Sequence, residues 1–251
     1  MYARGLNASW ITFSLLGWLA LLLSSGCGRW NYDPVAGDAG SACAQFAAFS
    51  TPQLVGGLNT SGSEFSPTLS ADGLQIYFHA NAGGAGLGSD DIWTATRPTP
   101  DADFGPWQLV TELSTSMAEG APFLTADGLT MYWSSARSGG VGSNDVWVAT
   151  RGDPQASFGP PVNLAAVNTA DSETGPALSA DGLTLYFGSD RPGGPADGNI
   201  WAATRADVGA EFDAPVLLPI DIGGSAGAPS LSSDGLELFF NGVVGAESSD
   251  I

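Results

Sequence analysis

The chain has 251 residues, which is enough for one large domain or two small ones with a buried core. Seven Lys plus Arg stand against 26 Asp plus Glu, and a net charge of −19 disfavours binding to nucleic acid or to anionic lipid through a basic face. The 35 Gly and 16 Pro residues, together with 43% hydrophobic residues, are typical of an all-β fold with many turns rather than of a disordered chain.

Residues 1–26 have the pattern of an export signal. Arg4 precedes a nearly continuous apolar run from Trp10 to Leu23, and small residues then lead to Cys27. This run is shorter than the roughly 20 apolar residues of a membrane-spanning helix, which stays the alternative. The ending Ser24-Ser25-Gly26-Cys27 resembles a bacterial lipobox, with Ser24 in place of the usual aliphatic residue. The resemblance implies lipidation of Cys27 and, because Gly28 rather than Asp follows, an outer-membrane destination.

Residues 27–51 predict a flexible tether between the anchor and a folded domain. The segment is small and polar and has no clear period. Cys43 is the second of only two cysteines. It stays a lone thiol if Cys27 carries lipid, and the two could form a disulfide otherwise.

From residue 52 to residue 251 the sequence is an internal repeat with a period of about 54 residues. Three markers share that period. They are the Asp-Gly pairs at 72, 127, 181 and 234, the tryptophans Trp93, Trp147 and Trp201, and the phenylalanines Phe104, Phe158 and Phe212.

Each repeat predicts four antiparallel strands. In the first unit, "SPTLSADGLQIYFHA" indicates two strands joined by an Asp-Gly turn, and "DDIWTATR" and "WQLVTEL" indicate a third and a fourth. No segment after the tether has a helical period. Meanders of this kind bury both faces when they are arranged radially, so we predict a β-propeller with about four blade units.

The two ends of the repeat leave the closure of the ring open. "PQLVGGL" at 52–58 predicts a lone fourth strand, and the last unit has only begun its third strand at Ile251. The N-terminal strand could therefore complete the last blade. The alternative is a larger ring with more blades.

The segments "LSADGLQIYF", "LTADGLTMYW" and "LSADGLTLYF", followed by "DIW", "DVW" and "NIW", resemble the WD40-like β-propeller repeat family, which includes the periplasmic propeller of the Tol system. The resemblance covers residues 52–251. It implies the propeller fold, whereas propellers serve many functions.

Candidate contact residues lie on the Gly-rich and Asp-rich loops after the second strand of each unit, where the units differ. They are His79, Asp90, Asp91, Asn144, Asp145, Asp190, Arg191 and Asp197. Oxygen-rich loops could bind calcium, but none has the alternating aspartates of a known calcium loop, so no metal site is predicted.

A second set of charges recurs once per repeat. It consists of Glu64, Glu119 and Glu173 before the first strands, and of Arg97, Arg151 and Arg205 at the ends of the third strands. We expect Glu–Arg pairs within or between blades. The alternative is a ring of carboxylates at the mouth of the central channel.

No nucleophile motif accompanies the single histidine, His79, so the sequence predicts no catalytic residue. The expected function is a lipid-anchored scaffold or binding module of the cell envelope with protein or peptide partners. The alternative is a propeller that binds or hydrolyses glycans with its acidic loops.

Overall fold

The computed structural model describes residues 51–195 and 197–244, with only the backbone of Val244. The predictions for the export signal, Cys27 and the tether as far as residue 50 lie outside these residues. The fold below is that of the unit Leu54–Ile251, as far as it is described. The described residues contain no helix with the length and hydropathy needed to cross a membrane.

Fourteen strands make up the described part of the fold, and no helix lies between them. They are β1 Glu64–Leu69, β2 Gln75–Ala80, β3 Asp91–Thr96, β4 Gln108–Leu109, β5 Glu119–Leu124, β6 Thr130–Ser135, β7 Asp145–Thr150, β8 Val162–Asn163, β9 Glu173–Leu178, β10 Thr184–Ser189, β11 Asn199–Thr204, β12 Val216–Leu217, β13 Gly224–Leu231 and β14 Leu238–Val244.

The strands pair only with their neighbours in the chain, so each sheet is an antiparallel meander. Strands β1–β4, β5–β8 and β9–β12 form three four-stranded sheets, which we call the first, second and third blades. Strands β13 and β14 form a two-stranded fourth blade. The predicted four-stranded antiparallel unit is confirmed in the first three repeats.

The turn between the first two strands of each blade follows from its Asp-Gly pair. In the third blade the Ser179 hydroxyl and the Leu183 N–H donate to Asp181 Oδ1 at 2.6 and 2.9 Å. Gly182 has φ 71°, which favours glycine. These hydrogen bonds, first from Ser179 and then from Leu183, lower the pKa of Asp181. The aspartates of the other three repeats are held in the same way, so this residue is part of the turn.

The first strands lie innermost. Strand β1 contacts β5, β5 contacts β9 and β9 contacts β13, while the second strand of each blade also contacts the first strand of the next. Large apolar side chains fill the space between blades. Tyr77 and Ile92 of the first blade pack with Met131, Trp133 and Trp147 of the second. Burying each such side chain contributes about 1.5–3 kcal/mol, so the junctions between blades hold the fold together.

Every innermost strand contains a bulge with positive φ at the same place. The residues are Ser66 (48°), Ala121 (49°), Gly175 (60°) and Ala228 (46°), and a proline follows each of them. The register of pairing shifts at these positions. Side chains of the preceding blade satisfy two of the bulges, because Ala121 N–H donates to His79 Nδ1 and Gly175 N–H donates to Ser134 Oγ, both at 3.1 Å.

The prediction of a strand at residues 52–58 is wrong. The segment forms a turn at Gly56–Leu58 instead, and it packs on the first blade. Gly56 O accepts a hydrogen bond from Phe104 N–H at 3.1 Å, and the buried Leu58 joins the first-blade cluster. Gly57 has φ 81°, a conformation that interrupts an extended strand. The segment therefore adds no strand to the fourth blade, and the described residues form an arc rather than a closed ring.

Candidate functional site

A buried glutamate and arginine form an ion pair in each of the second and third blades. Glu119 Oε1 lies 3.4 Å from Arg137 Nη2, and the two residues are 1% and 9% exposed. Thr115 Oγ1 and Ser135 Oγ also donate to Glu119 Oε1, at 2.6 and 2.9 Å. The third blade repeats the arrangement with Thr169, Glu173, Ser189 and Arg191, where the ion pair is 3.0 Å long. A buried carboxylate needs such partners.

The pairing that the sequence predicted for these glutamates is therefore wrong. The first and third strands of a meander run in the same direction, so Glu119 at the start of β5 and Arg151 after the end of β7 lie at opposite ends of the blade. A strand of six residues is about 20 Å long, which no side chain bridges.

The recurrent arginines contact their own blades. Arg151 Nε donates to Gly128 O at 2.8 Å, and its guanidinium lies 4.3 Å from the centroid of the Phe158 ring. Arg97 and Arg205 repeat these contacts with Phe104 and Phe212. Glu64 of the first blade accepts hydrogen bonds from Thr60, and Ala80 and Ala82 stand where the other blades have the serine and arginine.

The prediction that Asp91 and Asp145 contact a ligand is also wrong. They are 2% and 1% exposed. The Asp91 carboxylate accepts hydrogen bonds from Leu87 and Gly88 N–H, and Asp145 accepts them from the equivalent loop, Val141 and Gly142. Each aspartate thus holds the loop that precedes its strand. Arg191, another of the predicted loop candidates, is buried as well, and its guanidinium lies over the rings of Phe187 and Trp201.

The remaining loop candidates do not form one site. Asp190 and Asp197 are exposed and line a hollow of about 350 Å³ between the third and fourth blades. Asn144 Nδ2 donates to Ser172 Oγ at 3.3 Å, and Asp190 Oδ1 accepts from Ser172 N–H at 2.6 Å. Asp90 lies near His79 at the junction of the first two blades.

His79 is half-buried between the first and second blades. Its ring stacks on Phe65, with 5.2 Å between the centroids, and its Nδ1 accepts the hydrogen bond from Ala121. Burial lowers the pKa of His79, and the negative charge of Asp90 opposes this shift. The neutral imidazole thus serves as an acceptor in the bulge of the next blade.

Within residues 51–195 and 197–244, no three acidic, histidine or cysteine side chains converge in a way that would hold a metal ion. Calcium binding by the loops is the alternative that the sequence left open, and it stays untested.

A hollow lies between the second and third blades, at the end where the Asp-Gly turns lie. This interblade cleft has a volume of about 1100 Å³ and reaches inward to Leu69 and Ala71 of the first blade. Tyr132 and the exposed pair Ala165 and Ala166 lie on the second-blade side, and Arg205 and Phe212 on the third-blade side. The sequence singled out none of Leu69, Ala71, Ala165 and Ala166 as candidate site residues.

The cleft exists because the repeat is broken there. At the equivalent junction between the first and second blades, Thr111 and Glu112 occupy the positions of Ala165 and Ala166. Glu112 Oε1 accepts a hydrogen bond from Phe158 N–H at 3.2 Å, and Thr111 Oγ1 donates to Oε2 at 3.4 Å. Glu112 therefore bridges the first junction, whereas two alanines leave the second open. The contrast between "VTEL" and "LAAV" is the sequence signal for this site.

The wall of the cleft carries a tyrosine and an arginine. Burial raises the pKa of Tyr132, and the neighbouring Arg205 opposes this rise by its charge and by a hydrogen bond. The Arg205 guanidinium lies 4.5 Å from the centroid of the Phe212 ring. Within the described part of the chain, Arg205 has no carboxylate within ion-pair distance. Asp127, Asp181 and Glu211 lie at the rim and add negative charge.

The fold places the chain in the class of β-propellers with four-stranded antiparallel blades. No family model and no curated protein matches the sequence. Among solved structures it is similar to TolB from Acinetobacter baumannii, with a TM-score of 0.53 and 18% identity over 76% of this chain and 40% of that one. The likeness supports a TolB-like propeller fold, and the chain spans less than half of that protein.

Two further structures match with lower scores. Putative TolB from Agrobacterium tumefaciens has a TM-score of 0.46 and 16% identity, over 73% of this chain and 55% of that chain. The alpha-L-arabinofuranosidase from Lactobacillus brevis has a TM-score of 0.47 and 17% identity, over 70% of this chain and 64% of the enzyme.

Proposed function

We propose that this protein is a non-catalytic binding module of the cell envelope, which takes up part of a protein partner in the cleft between its second and third blades. The observation that supports the proposal is the break in the repeat. A single binding site on a repeated fold requires a feature that one junction has and the others lack. Ala165 and Ala166, in place of Thr111 and Glu112, provide such a feature.

The composition of the cleft suits recognition. Leu164, Val167 and Leu178 give it an apolar lining, and Tyr132 and Arg205 give it polar groups that can fix the orientation of a ligand. The acidic loops at the opposite end are less suited to this task, because Asp91 and Asp145 are buried and hold their own loops. The proposal therefore assigns binding to the end of the propeller with the Asp-Gly turns.

Blocking the cleft tests this function. We would replace the exposed Ala166 by Trp, which fills the cleft whatever the chemistry of its ligand. The matched control is Ala214→Trp, at an exposed alanine of the third repeat that does not line the cleft. Tagged proteins are cross-linked in cells, and the captured partners are quantified by mass spectrometry. A partner that Ala166→Trp loses and Ala214→Trp keeps supports the proposal, and equal capture by all three proteins contradicts it.

The proposed envelope location rests on the lipobox-like segment, residues 24–27. Cys27 would carry the lipid and residues 27–51 would tether the propeller to the membrane. Labelling cells with a palmitate analogue should mark the wild-type protein and not Cys27→Ala, and the variant should leave the membrane fraction. Unchanged labelling of Cys27→Ala would contradict the anchor without affecting the cleft.

A further inference from the structure

In each of the first three blades, one backbone N–H bears on what kind of ligand the interblade cleft binds. It belongs to the phenylalanine that recurs after the third strand. In the first blade Phe104 N–H donates to Gly56 O at 3.1 Å, and in the second Phe158 N–H donates to the Glu112 carboxylate at 3.2 Å. Phe212 N–H of the third blade has no acceptor among the described residues, although the residue is buried. Phe212 is 6% exposed, and an N–H in such a place without an acceptor costs free energy, so an acceptor supplied by a ligand would be favoured here.

The first junction shows which acceptor fits. Around Glu112 lie Phe158 N–H, the Tyr77 hydroxyl and Arg151, whose Nη1 donates to Tyr77 at 3.0 Å. Burial raises the pKa of Tyr77, Arg151 opposes this rise, and the negative charge of Glu112 adds to it, so the charge of this carboxylate acts on that hydroxyl. Phe212, Tyr132 and Arg205 are the equivalent groups of the cleft. What differs is Ala166 in place of Glu112.

We propose that the interblade cleft binds an acidic side chain of a partner peptide, whose carboxylate takes the place that Glu112 holds at the first junction. The inference rests on the proposed function of the cleft and adds the chemical class of its ligand. A carboxylate there accepts from Phe212 N–H and lies near Arg205, and hydrogen bonds with a charged partner are the stronger kind.

A peptide fits the cleft better than a small carboxylic acid does. The internal template is a glutamate in a turn, in which Leu113 N–H donates to Val110 O at 3.0 Å and these two apolar residues are buried beside it. The cleft volume of about 1100 Å³ exceeds what one carboxylate needs, and the apolar wall at Leu164 and Leu178 can take the flanking side chains.

The acidic rim limits the affinity. Asp127 and Asp181 accept hydrogen bonds within their own turns, and Glu211 is exposed. Their repulsion of an entering carboxylate is screened by solvent and by salt, whereas Phe212 is only 6% exposed. The rim should therefore select a peptide with one acid flanked by apolar residues over a strongly acidic one.

The test uses the segment of the first junction as a probe. The acetylated and amidated pentapeptide Val-Thr-Glu-Leu-Ser, a copy of residues 110–114, is titrated into the 15N-labelled protein beside its Gln counterpart. We expect the Phe212 amide resonance to shift with the Glu peptide, and the Gln peptide to bind about ten-fold more weakly. Equal affinities for the two peptides would overturn the proposal, and so would binding of N-acetylglutamate amide as tightly as the pentapeptide.

Two variants of the protein check the position of the carboxylate. Ala166→Glu places a carboxylate of the protein itself in the cleft and should abolish binding of the Glu peptide. The control Ala214→Glu adds the same charge outside the cleft and should change the affinity for the peptide by less than about two-fold. Glu112→Ala opens the first junction and should make the Phe158 amide respond to the peptide as well. A Phe158 amide that stays unresponsive in that variant contradicts the proposal, even if Ala166→Glu fails to fold.

The two proposals fail separately. If Ala166→Trp removes a cellular partner but the Glu and Gln peptides bind alike, the cleft is a binding site and its ligand is not an acid. If Ala166→Trp changes no partner while the Glu peptide binds at Phe212, the cleft recognises carboxylates but does not serve the proposed envelope function.

Discussion

Glu173 is a charge that the third blade keeps in its interior, where it binds Arg191, Thr169 and Ser189. Removing one member of a buried pair leaves the other uncompensated, which costs about 3–5 kcal/mol. We expect Glu173→Ala to lower the free energy of unfolding by that amount, as measured by urea denaturation.

Glu64 is the matched control, because it occupies the same position in the first blade without an arginine partner. Glu64→Ala should cost about 1 kcal/mol, the contribution of an ordinary hydrogen bond. Equal losses for the two variants would show that Arg191 contributes little to the environment of Glu173.

His79 makes the junction of the first two blades sensitive to pH. Its pKa is lowered from 6.5 by burial, and Nδ1 can accept from Ala121 only while it is unprotonated. The stability contributed by neutral His79 is thus complete above about pH 6.5 and is lost as the pH falls through the lower pKa of the folded state. The facing Asp90 moderates this loss, because its charge favours the protonated form.

His79→Ser should remove this pH dependence and keep the hydrogen bond, because Ser134 performs the same role at the next junction. The measurement is the free energy of unfolding in urea at pH 8, 6.5 and 5, a range above the ordinary pKa of the carboxylates. If wild-type and His79→Ser lose stability in parallel over this range, the titrating group is another one.

At the scale of the strand, the innermost bulges carry backbone strain. Ala121 has φ 49°, a conformation that costs a non-glycine residue about 1–2 kcal/mol, whereas the equivalent Gly175 has φ 60° without that cost. A Cβ on Gly175 would also lie 2.8 Å from Ala228 Cα of the next blade. Gly175→Ala should therefore destabilise the protein by at least about 2 kcal/mol.

The reverse exchange, Ala121→Gly, should leave the melting temperature unchanged or raise it slightly, because relief of strain offsets the larger entropy of glycine in the unfolded chain. Thermal unfolding of both variants separates the two effects. A loss of stability in Ala121→Gly as large as that in Gly175→Ala would mean that bulge conformation does not control this strand.

Turns and strands could be predicted from the sequence, whereas contacts between residues of different strands and blades could not. The turns at Asp181 and its equivalents and the strands around them were predictable, because Asp-Gly turns and alternating apolar residues are local signals. The partners of Glu119 were not, because Arg137 reaches it through a loop that only the folded hairpin brings close. Ala165 and Ala166 can be read in the sequence, but nothing there marks them as the site of a cleft. They become informative only when the structure shows that Glu112, at the other junction, contacts Phe158.

At the scale of the whole molecule, the leucine that ends the first strand is covered by the preceding blade in the second and third blades and is uncovered in the first blade. Leu124 and Leu178 are each 5% exposed and face the preceding blade, whereas Leu69 is 49% exposed. At the far end of the arc, Phe239 is 57% exposed, although the equivalent Tyr77 and Tyr132 are buried against the next blade. Packing between blades, rather than the blade itself, therefore determines how much each repeat contributes to stability.

This difference predicts unequal costs for one substitution. Leu124→Ala leaves a cavity between two blades and should cost about 2–5 kcal/mol, whereas Leu69→Ala, at a half-exposed site, should cost less than about 1 kcal/mol. Urea unfolding of both variants at two protein concentrations measures the costs and whether another molecule contributes. A cost for Leu69→Ala that equals that of Leu124→Ala would mean that Leu69 is covered in solution, and a dependence of that cost on concentration would assign the cover to a second copy of the chain.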